Sequence, residues 1–207
     1  MRLHTAVTTW GSEPDQAHTA VIAVHGRGQS PDYMRDQSSR LDARGIRFYA
    51  PAAFGQTWYP KPFMNALTDN EPDLSRSMDV LEHLVATVEA EGFPRDRIIL
   101  WGFSQGACLI SHLALTRPGQ LGGLALMTGG YVGPDALAAP RGLPLEGMPV
   151  VMRSIDQDPW VPRRRVEQTA QTLSAAGAGV DLVIAAGTEH IITDEAMSAV
   201  GRLLSST

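Results

Sequence analysis

Short apolar runs alternate with amphipathic stretches along most of the chain. The runs Ala20–Val24, Ile46–Ala50, Ile98–Trp101, Leu124–Met127, Pro149–Met152 and Val180–Ile184 have the length of strands, and several are β-branched. Near-continuous apolar runs of this length suit strands buried on both faces, as in a parallel sheet. His4–Trp10 reads as one further, edge strand. Between the runs lie helical periods. Ser75–Glu91 places Met78, Leu81, Val85 and Val88 three and four residues apart, with Asp73 or Ser75 as cap and Gly92 then Pro94 as the stop. Pro162–Ala176 opens on proline, carries Val166, Ala170 and Leu173 on one face and ends at Gly177. Thr193 caps a last helix with Met197, Val200, Leu203 and Leu204 as its apolar positions. The pattern predicts an α/β fold: a mostly parallel sheet of about seven strands with helices on both faces. In such sheets a site forms at the carboxyl ends of the strands, so the turns leaving them carry the candidate chemistry.

Composition narrows this picture without redirecting it. The 207 residues, 43% hydrophobic and 19% charged, fit one domain spanning 1–207 with an ordinary globular core and no separate cap domain. A domain this size buries about 70% of its extended-chain surface. The single cysteine, Cys108, excludes an internal disulfide and a multi-cysteine zinc site. No metal-ligand cluster and no cofactor motif are visible. The N-terminus lacks the apolar run of a signal peptide, and no stretch approaches the ~18 apolar residues of a membrane span, so a cytoplasmic protein is expected. Net charge is −5, and Lys61 is the only lysine among 17 basic residues. The short cluster Arg163-Arg164-Arg165 is expected to be a solvated helix face, too small for a nucleic-acid footprint.

Directly after the run Ile98–Trp101 comes Gly102-Phe103-Ser104-Gln105-Gly106, followed by an apolar helical stretch. G-x-S-x-G between a strand and a helix is the context of a nucleophile elbow, in which flanking glycines permit a strained turn that exposes the serine. Ser104 then stands at the positive end of the following helix. A serine hydroxyl needs a base and an orienting acid to act as a nucleophile. His190 follows the elbow at a strand exit, and His4, His18, His83 and His112 read as surface or packing residues. For the acid, Asp156 and Asp158 compete in the segment after Val150–Met152. Asp158, held extended before Pro159, takes the role, and Asp156 becomes a turn residue bonding local backbone. Glu189 points away from its neighbour His190 on extended backbone. An oxyanion hole would use the N–H of Gln105 and, from His25-Gly26-Arg27-Gly28, the N–H of Arg27. His25 itself anchors that loop.

The combination of His25-Gly26-Arg27-Gly28, Thr57-Trp58-Tyr59-Pro60, Asn70-Glu71-Pro72-Asp73-Leu74-Ser75, Gly102-Phe103-Ser104-Gln105-Gly106, Asp158-Pro159-Trp160-Val161-Pro162 and a late His190 resembles the phospholipase/carboxylesterase family of α/β-hydrolases, which includes the acyl-protein thioesterases. The resemblance implies a compact hydrolase acting on a small-molecule ester or thioester, with Ser104, Asp158 and His190 as triad and Arg27 and Gln105 as oxyanion donors. Carboxylesterase, thioesterase and lysophospholipase activities all fall within it. The thioesterase branch usually has an apolar residue where this chain has Arg27, and a Gly-Asp pair where it has Ser154-Ile155-Asp156, so small bacterial carboxylesterases are the nearer likeness. Phe54–Pro72 is long, aperiodic and aromatic. It is expected to wall an acyl or alcohol pocket with Trp58, Tyr59 and Phe63, joined by Trp160 and Ile191; the opposing reading makes these aromatics anchors to the core. Cys108 is expected to be a packed residue. A non-catalytic binding protein on the same scaffold is the competing class, and a homodimer is left open.

Overall fold

The computed structural model describes residues 5–207. Seven strands form one sheet: β1 (Val7–Gly11), β2 (Thr19–Val24), β3 (Ile46–Pro51), β4 (Ile98–Phe103), β5 (Gly123–Met127), β6 (Pro149–Ile155) and β7 (Gly179–Ala185). Their spatial order is β1-β3-β2-β4-β5-β6-β7. All pairings are parallel except that of β1 with β3. The helices are α1 (Pro31–Ser38), the short α2 (Leu67–Asn70), α3 (Asp73–Ala90), α4 (Gln105–Thr116), α5 (Arg163–Ala175) and α6 (Asp194–Ser206).

Period-two alternation along the strands divides the core into two layers. In β2, Ala20, Ile22 and Val24 face a cluster with Leu81 of α3, Leu109 of α4 and Leu173 of α5. The intervening Val21 and Ala23 face Met34 of α1 and Met197, Val200 and Leu203 of α6. The central strands β2, β4 and β5 are buried along their whole length, as their unbroken apolar runs require. The run in β7 departs from that expectation: it is an edge strand in which no residue is fully buried. The expected edge strand occupies Val7–Gly11, and its proposed start at His4 lies outside the described residues. β6 extends three residues beyond Met152, so the turn after it begins at Asp156.

Helix boundaries follow local chemistry. α3 starts at Asp73 after Pro72, and neither Asp73 nor Ser75 caps it. Instead the Glu71 carboxylate accepts from the Ser75 N–H at 3.2 Å and the Ser75 hydroxyl at 2.8 Å. α6 has the expected cap, with Thr193 Oγ1 accepting from Ala196 N at 3.1 Å. α1 carries no long apolar period; only Pro31, Met34 and Ser38 are buried.

Arg165 corrects the reading of its cluster as a solvated face. It is 3% exposed. Its guanidinium donates to the carbonyls of Tyr131 (3.0 Å), Gly133 (2.5 Å) and Pro134 (2.9 Å) and lies 4.3 Å from the Tyr131 ring centroid. The segment after β5 is loop backbone whose carbonyls have no ladder, and the cation supplies their donors. Arg163, by contrast, is half exposed and pairs with Asp156 and Glu167. Arg165→Met should therefore lower stability by about 3 kcal/mol or more, since it strips charge-assisted donors from buried carbonyls. Urea unfolding measures this, and a loss under about 1 kcal/mol would contradict it.

His112 is buried within α4 with Nδ1 lacking a partner, and burial lowers its pKa to about 4. The unfolded chain therefore binds a proton at this residue between pH 6.5 and 4 that the folded chain does not, and stability falls as pH drops through that window. The contribution is on the order of 3 kcal/mol at pH 4. His112→Leu should show a shallower loss of stability from pH 6.5 to 4 than the parent chain; parallel curves would rule out this origin.

Candidate active site

The elbow is built from contacts between main chains. A Cβ on Gly102 would lie 2.7 Å from Gly106 C and Ala107 N, and one on Gly106 would lie 2.2 Å from the Val24 carbonyl oxygen. Both flanks of the serine must be glycine because backbone, not a movable side chain, fills the space. Ser104 between them adopts φ 52° and ψ −118°, outside the regions L-residues favour. Its N–H donates to Met127 O at 2.9 Å, which ties the turn to the end of β5. The first N–H groups of α4 therefore open at the carboxyl edge of the sheet without intrahelical acceptors.

Ser104, His190 and Asp158 meet at this edge. The Ser104 hydroxyl is 2.8 Å from His190 Nε2, and His190 Nδ1 is 2.6 Å from Asp158 Oδ2. The other Asp158 oxygen accepts the N–H groups of Trp160 and Val161, both at 2.8 Å, and the carboxylate is fully buried. The turn at Pro159 brings those two N–H groups back onto the carboxylate, which fixes its direction. A carboxylate on Nδ1 sets the tautomer with its proton on Nδ1, leaving the Nε2 lone pair for the serine O–H. Asp156 points elsewhere, to Arg163 at 3.0 Å rather than to local backbone. Glu189 is exposed.

His25 Nδ1 donates to Gly26 O at 2.7 Å, its Nε2 accepts from Ala53 N at 3.1 Å, and burial pushes its pKa down, so it ties two loops together as a neutral ring. The loop it anchors passes close to Ser104: a Cβ on Gly26 would lie 3.2 Å from Ser104 Cβ. Arg27 and Gln105, both placed at the oxyanion hole by sequence, are joined through their side chains to one atom. Tyr59 O accepts from Arg27 Nη2 at 2.8 Å and from Gln105 Nε2 at 2.8 Å, with Thr57 Oγ1 at 2.9 Å. Gln105 Oε1 accepts the buried Trp58 N–H at 3.0 Å. Two residues that sequence reasoning did not single out brace the same segment: Ser77 Oγ donates to Trp58 O at 2.6 Å, and Asn70 Oδ1 accepts from Lys61 N at 2.8 Å. Asn70, the last residue of α2, lies within one of the quoted motifs, and its complete burial is what a polar residue in an aperiodic segment does not reveal from sequence.

Beside the serine is a cavity of about 560 Å³ lined mainly by apolar groups of Tyr59, Phe63, Trp160 and Val161, together with Arg27 and His190. Cys108 also lines it, buried, with burial pushing its thiol up to about 11. Of the five residues expected to bind substrate, Tyr59, Phe63 and Trp160 line this cavity. Trp58 and Ile191 do not. Trp58 is 3% exposed and donates Nε1 to His25 O at 2.8 Å, an anchor rather than a wall, whereas Ile191 is 45% exposed. Among the described residues no group of three or more His, Cys, Asp or Glu side chains is placed to hold a metal ion, and no helix is long and apolar enough to cross a membrane.

The sequence pattern of the phospholipase/carboxylesterase family matches residues 11–207. The chain belongs to that family. It is 30% identical over 167 residues to acyl-protein thioesterase 1 of Schizosaccharomyces pombe, a match covering 72% of this chain and 73% of that protein. The crystal structure of a phospholipase/carboxylesterase from Dyadobacter fermentans superimposes with a TM-score of 0.90 at 31% identity, covering 97% of this chain and 96% of that one. The carboxylesterase of Bacillus cereus shares the fold at 18% identity, with a TM-score of 0.77 over 99% of this chain and 96% of its own. The fold is thus that of the α/β-hydrolases, and family membership implies a carboxylesterase-type hydrolase. Within the family frame, the Gln105 side chain is a structural tie that can be tested apart from any chemistry. Gln105→Ala should cost about 1–3 kcal/mol, because it leaves the buried Trp58 N–H without an acceptor. Denaturant unfolding with hydrogen exchange at Trp58 checks this; unchanged protection of that amide would refute the tie.

Proposed function

We propose that the chain is a serine carboxylesterase that forms an acyl-enzyme on Ser104 and takes small-molecule esters or thioesters. The observation that carries the reading is the unbroken hydrogen-bonded series from the Ser104 hydroxyl through His190 to Asp158. His190 Nε2 takes the serine proton as Oγ attacks the substrate carbonyl carbon, and a tetrahedral oxyanion forms. The imidazolium is held by Asp158, whose other oxygen is already committed to two main-chain N–H groups. His190 then returns the proton to the leaving alcohol or thiol. Water, deprotonated by the same nitrogen, attacks the acyl carbonyl, and the carboxylic acid departs as the serine regains its proton.

The oxyanion donors in this reading are the N–H groups of Gln105 and Arg27. Both are main-chain groups, pre-oriented before substrate arrives, which is what lets such donors stabilise charge that develops only in the transition state. Support comes from the helix start at Gln105, from the close approach of the Gly26 loop to Ser104, and from the shared tie of both side chains to Tyr59 O. Tyr59, Phe63 and Trp160 give the acyl or alcohol group an apolar wall.

Ser104→Ala should lower kcat for a nitrophenyl ester by on the order of 10⁶, leaving binding and oxyanion effects alone. A fluorophosphonate should label the parent chain at Ser104, located by peptide mass, and leave the variant unlabelled. Retention of more than about a hundredth of the activity, or an adduct elsewhere, would overturn the assignment.

A further inference from the structure

Arg27 has a side chain placed unlike those of most other arginines of this chain. Arg40, Arg76, Arg117, Arg153 and Arg163 each pair with at least one carboxylate. The Arg27 guanidinium instead donates to three consecutive main-chain carbonyls, Tyr59 O (2.8 Å), Pro60 O (3.0 Å) and Lys61 O (2.8 Å), and lies 5.9 Å from the Tyr59 ring centroid. Carbonyl dipoles orient a guanidinium without cancelling its charge. Three of its five N–H groups are used in this way, and the Nε–H and one Nη1–H keep no partner among the described residues.

This fixed cation lines the cavity beside Ser104. No carboxylate lines the same cavity; of its other ionisable walls, Tyr59 and Cys108 are held neutral because burial raises both above their ordinary range, and His190 is engaged by the buried Asp158 carboxylate behind it. Lys61, the only lysine, continues the segment that Arg27 grips, with no ion pair among the described residues. A chain with 22 acidic against 17 basic side chains therefore sets a guanidinium, and no carboxylate, on the wall of the cavity next to its nucleophile. Arg27 is exposed, so solvent screens part of this charge, and the apolar walls of the cavity focus what remains.

We propose that Arg27 selects esters that carry a carboxylate on the acyl or the alcohol part, the guanidinium neutralising that group while the Arg27 N–H serves the oxyanion. The inference rests on the esterase reading above. It assigns the side chain a task separate from that of the main-chain N–H, and it explains why a residue flanked by Gly26 and Gly28 in a tight loop is a long cation at all.

Two isosteric pairs test it: monoethyl adipate against ethyl adipamate for charge on the acyl side, and 4-acetoxybenzoate against 4-acetoxybenzamide for charge on the alcohol side. In the parent chain, kcat/KM for the anionic member of at least one pair should exceed that of its neutral partner by about tenfold or more. Raising the salt from about 0.02 to 0.5 M should erode that ratio and leave the neutral rates nearly level. Arg27→Met should slow both members, because the brace to the Tyr59–Lys61 wall is lost, and should in addition abolish the anion:neutral ratio. Arg27→Lys should keep part of the ratio. A merely structural Arg27 would slow both members equally, and an unchanged ratio in Arg27→Met, or no anion preference in either pair, overturns the proposal. Should Arg27→Met fail to fold, the salt response of the parent chain decides. Turnover of the neutral esters together with phosphonate labelling of Ser104 tests the esterase reading independently, so the two can fail separately.

Discussion

Backbone packed directly against backbone at the elbow is the constraint from which the site follows. With Val24 O 2.2 Å from where a Gly106 Cβ would sit, the start of α4 is pressed onto the end of β2. That contact brings two loops from different strands, the one after β4 with Ser104 and the one after β2 with Arg27, to the same spot. It also forces Ser104 into a backbone conformation that costs an L-residue about 1–3 kcal/mol. The long apolar strands on either side, buried on both faces, supply the packing that offsets that strain.

The wall formed by Thr57 to Lys61 extends this constraint outwards. It has neither strand nor helix to satisfy its polar groups, so most of them are met by side chains from elsewhere: Gln105 at Trp58 N, Ser77 at Trp58 O, Asn70 at Lys61 N, Arg27 at three carbonyls. Charge-assisted bonds are roughly twice as strong as neutral ones, so the guanidinium is the firmest of these ties. One consequence is that elbow and cavity wall form a connected unit. Gln105 reaches from the first residue of α4 to the wall, and Arg27 reaches from the neighbouring loop to the same carbonyl.

What was legible in the sequence divides along a physical line. Apolar runs announce the central strands because burial on two faces leaves no room for polar residues, and G-x-S-x-G announces the elbow because sterics permit little else there. Ser104, Asp158 and His190, each read in order after a strand, are brought within hydrogen-bond distance of one another. Position in the sheet is another matter. The run in β7 looks like those of the central strands, yet it lies at an edge, since strand order is set by crossovers that a local pattern does not contain. Roles decided by loop carbonyls were equally hidden: Arg165 looked like a solvated base and Trp58 like a pocket wall, because the acceptors they serve are main-chain atoms common to every residue. The short α1 went unseen for want of an apolar period.

The edge position of β7 matters for chemistry, since the loop after it carries His190. Val180, Leu182 and Ile184 of this strand pack against the core only partly buried, and polar contacts add to their hold. Arg153, 5% exposed in β6, reaches Asp181 of β7 at 2.7 Å and Glu195 of α6 at 2.8 Å, clasping the edge strand and the last helix to the sheet. Further along, Asp156 N donates to Ala185 O at 2.8 Å and Gln157 N to Gly187 O at 3.0 Å, so the ladder continues past the strands into the two loops that supply Asp158 and His190. These bonds register the loops of Asp158 and His190 to each other independently of Ser104. The central half of the sheet places Ser104 by steric exclusion, and the edge half places His190 by hydrogen bonds. The 2.8 Å contact between Ser104 and His190 is where these two kinds of order meet.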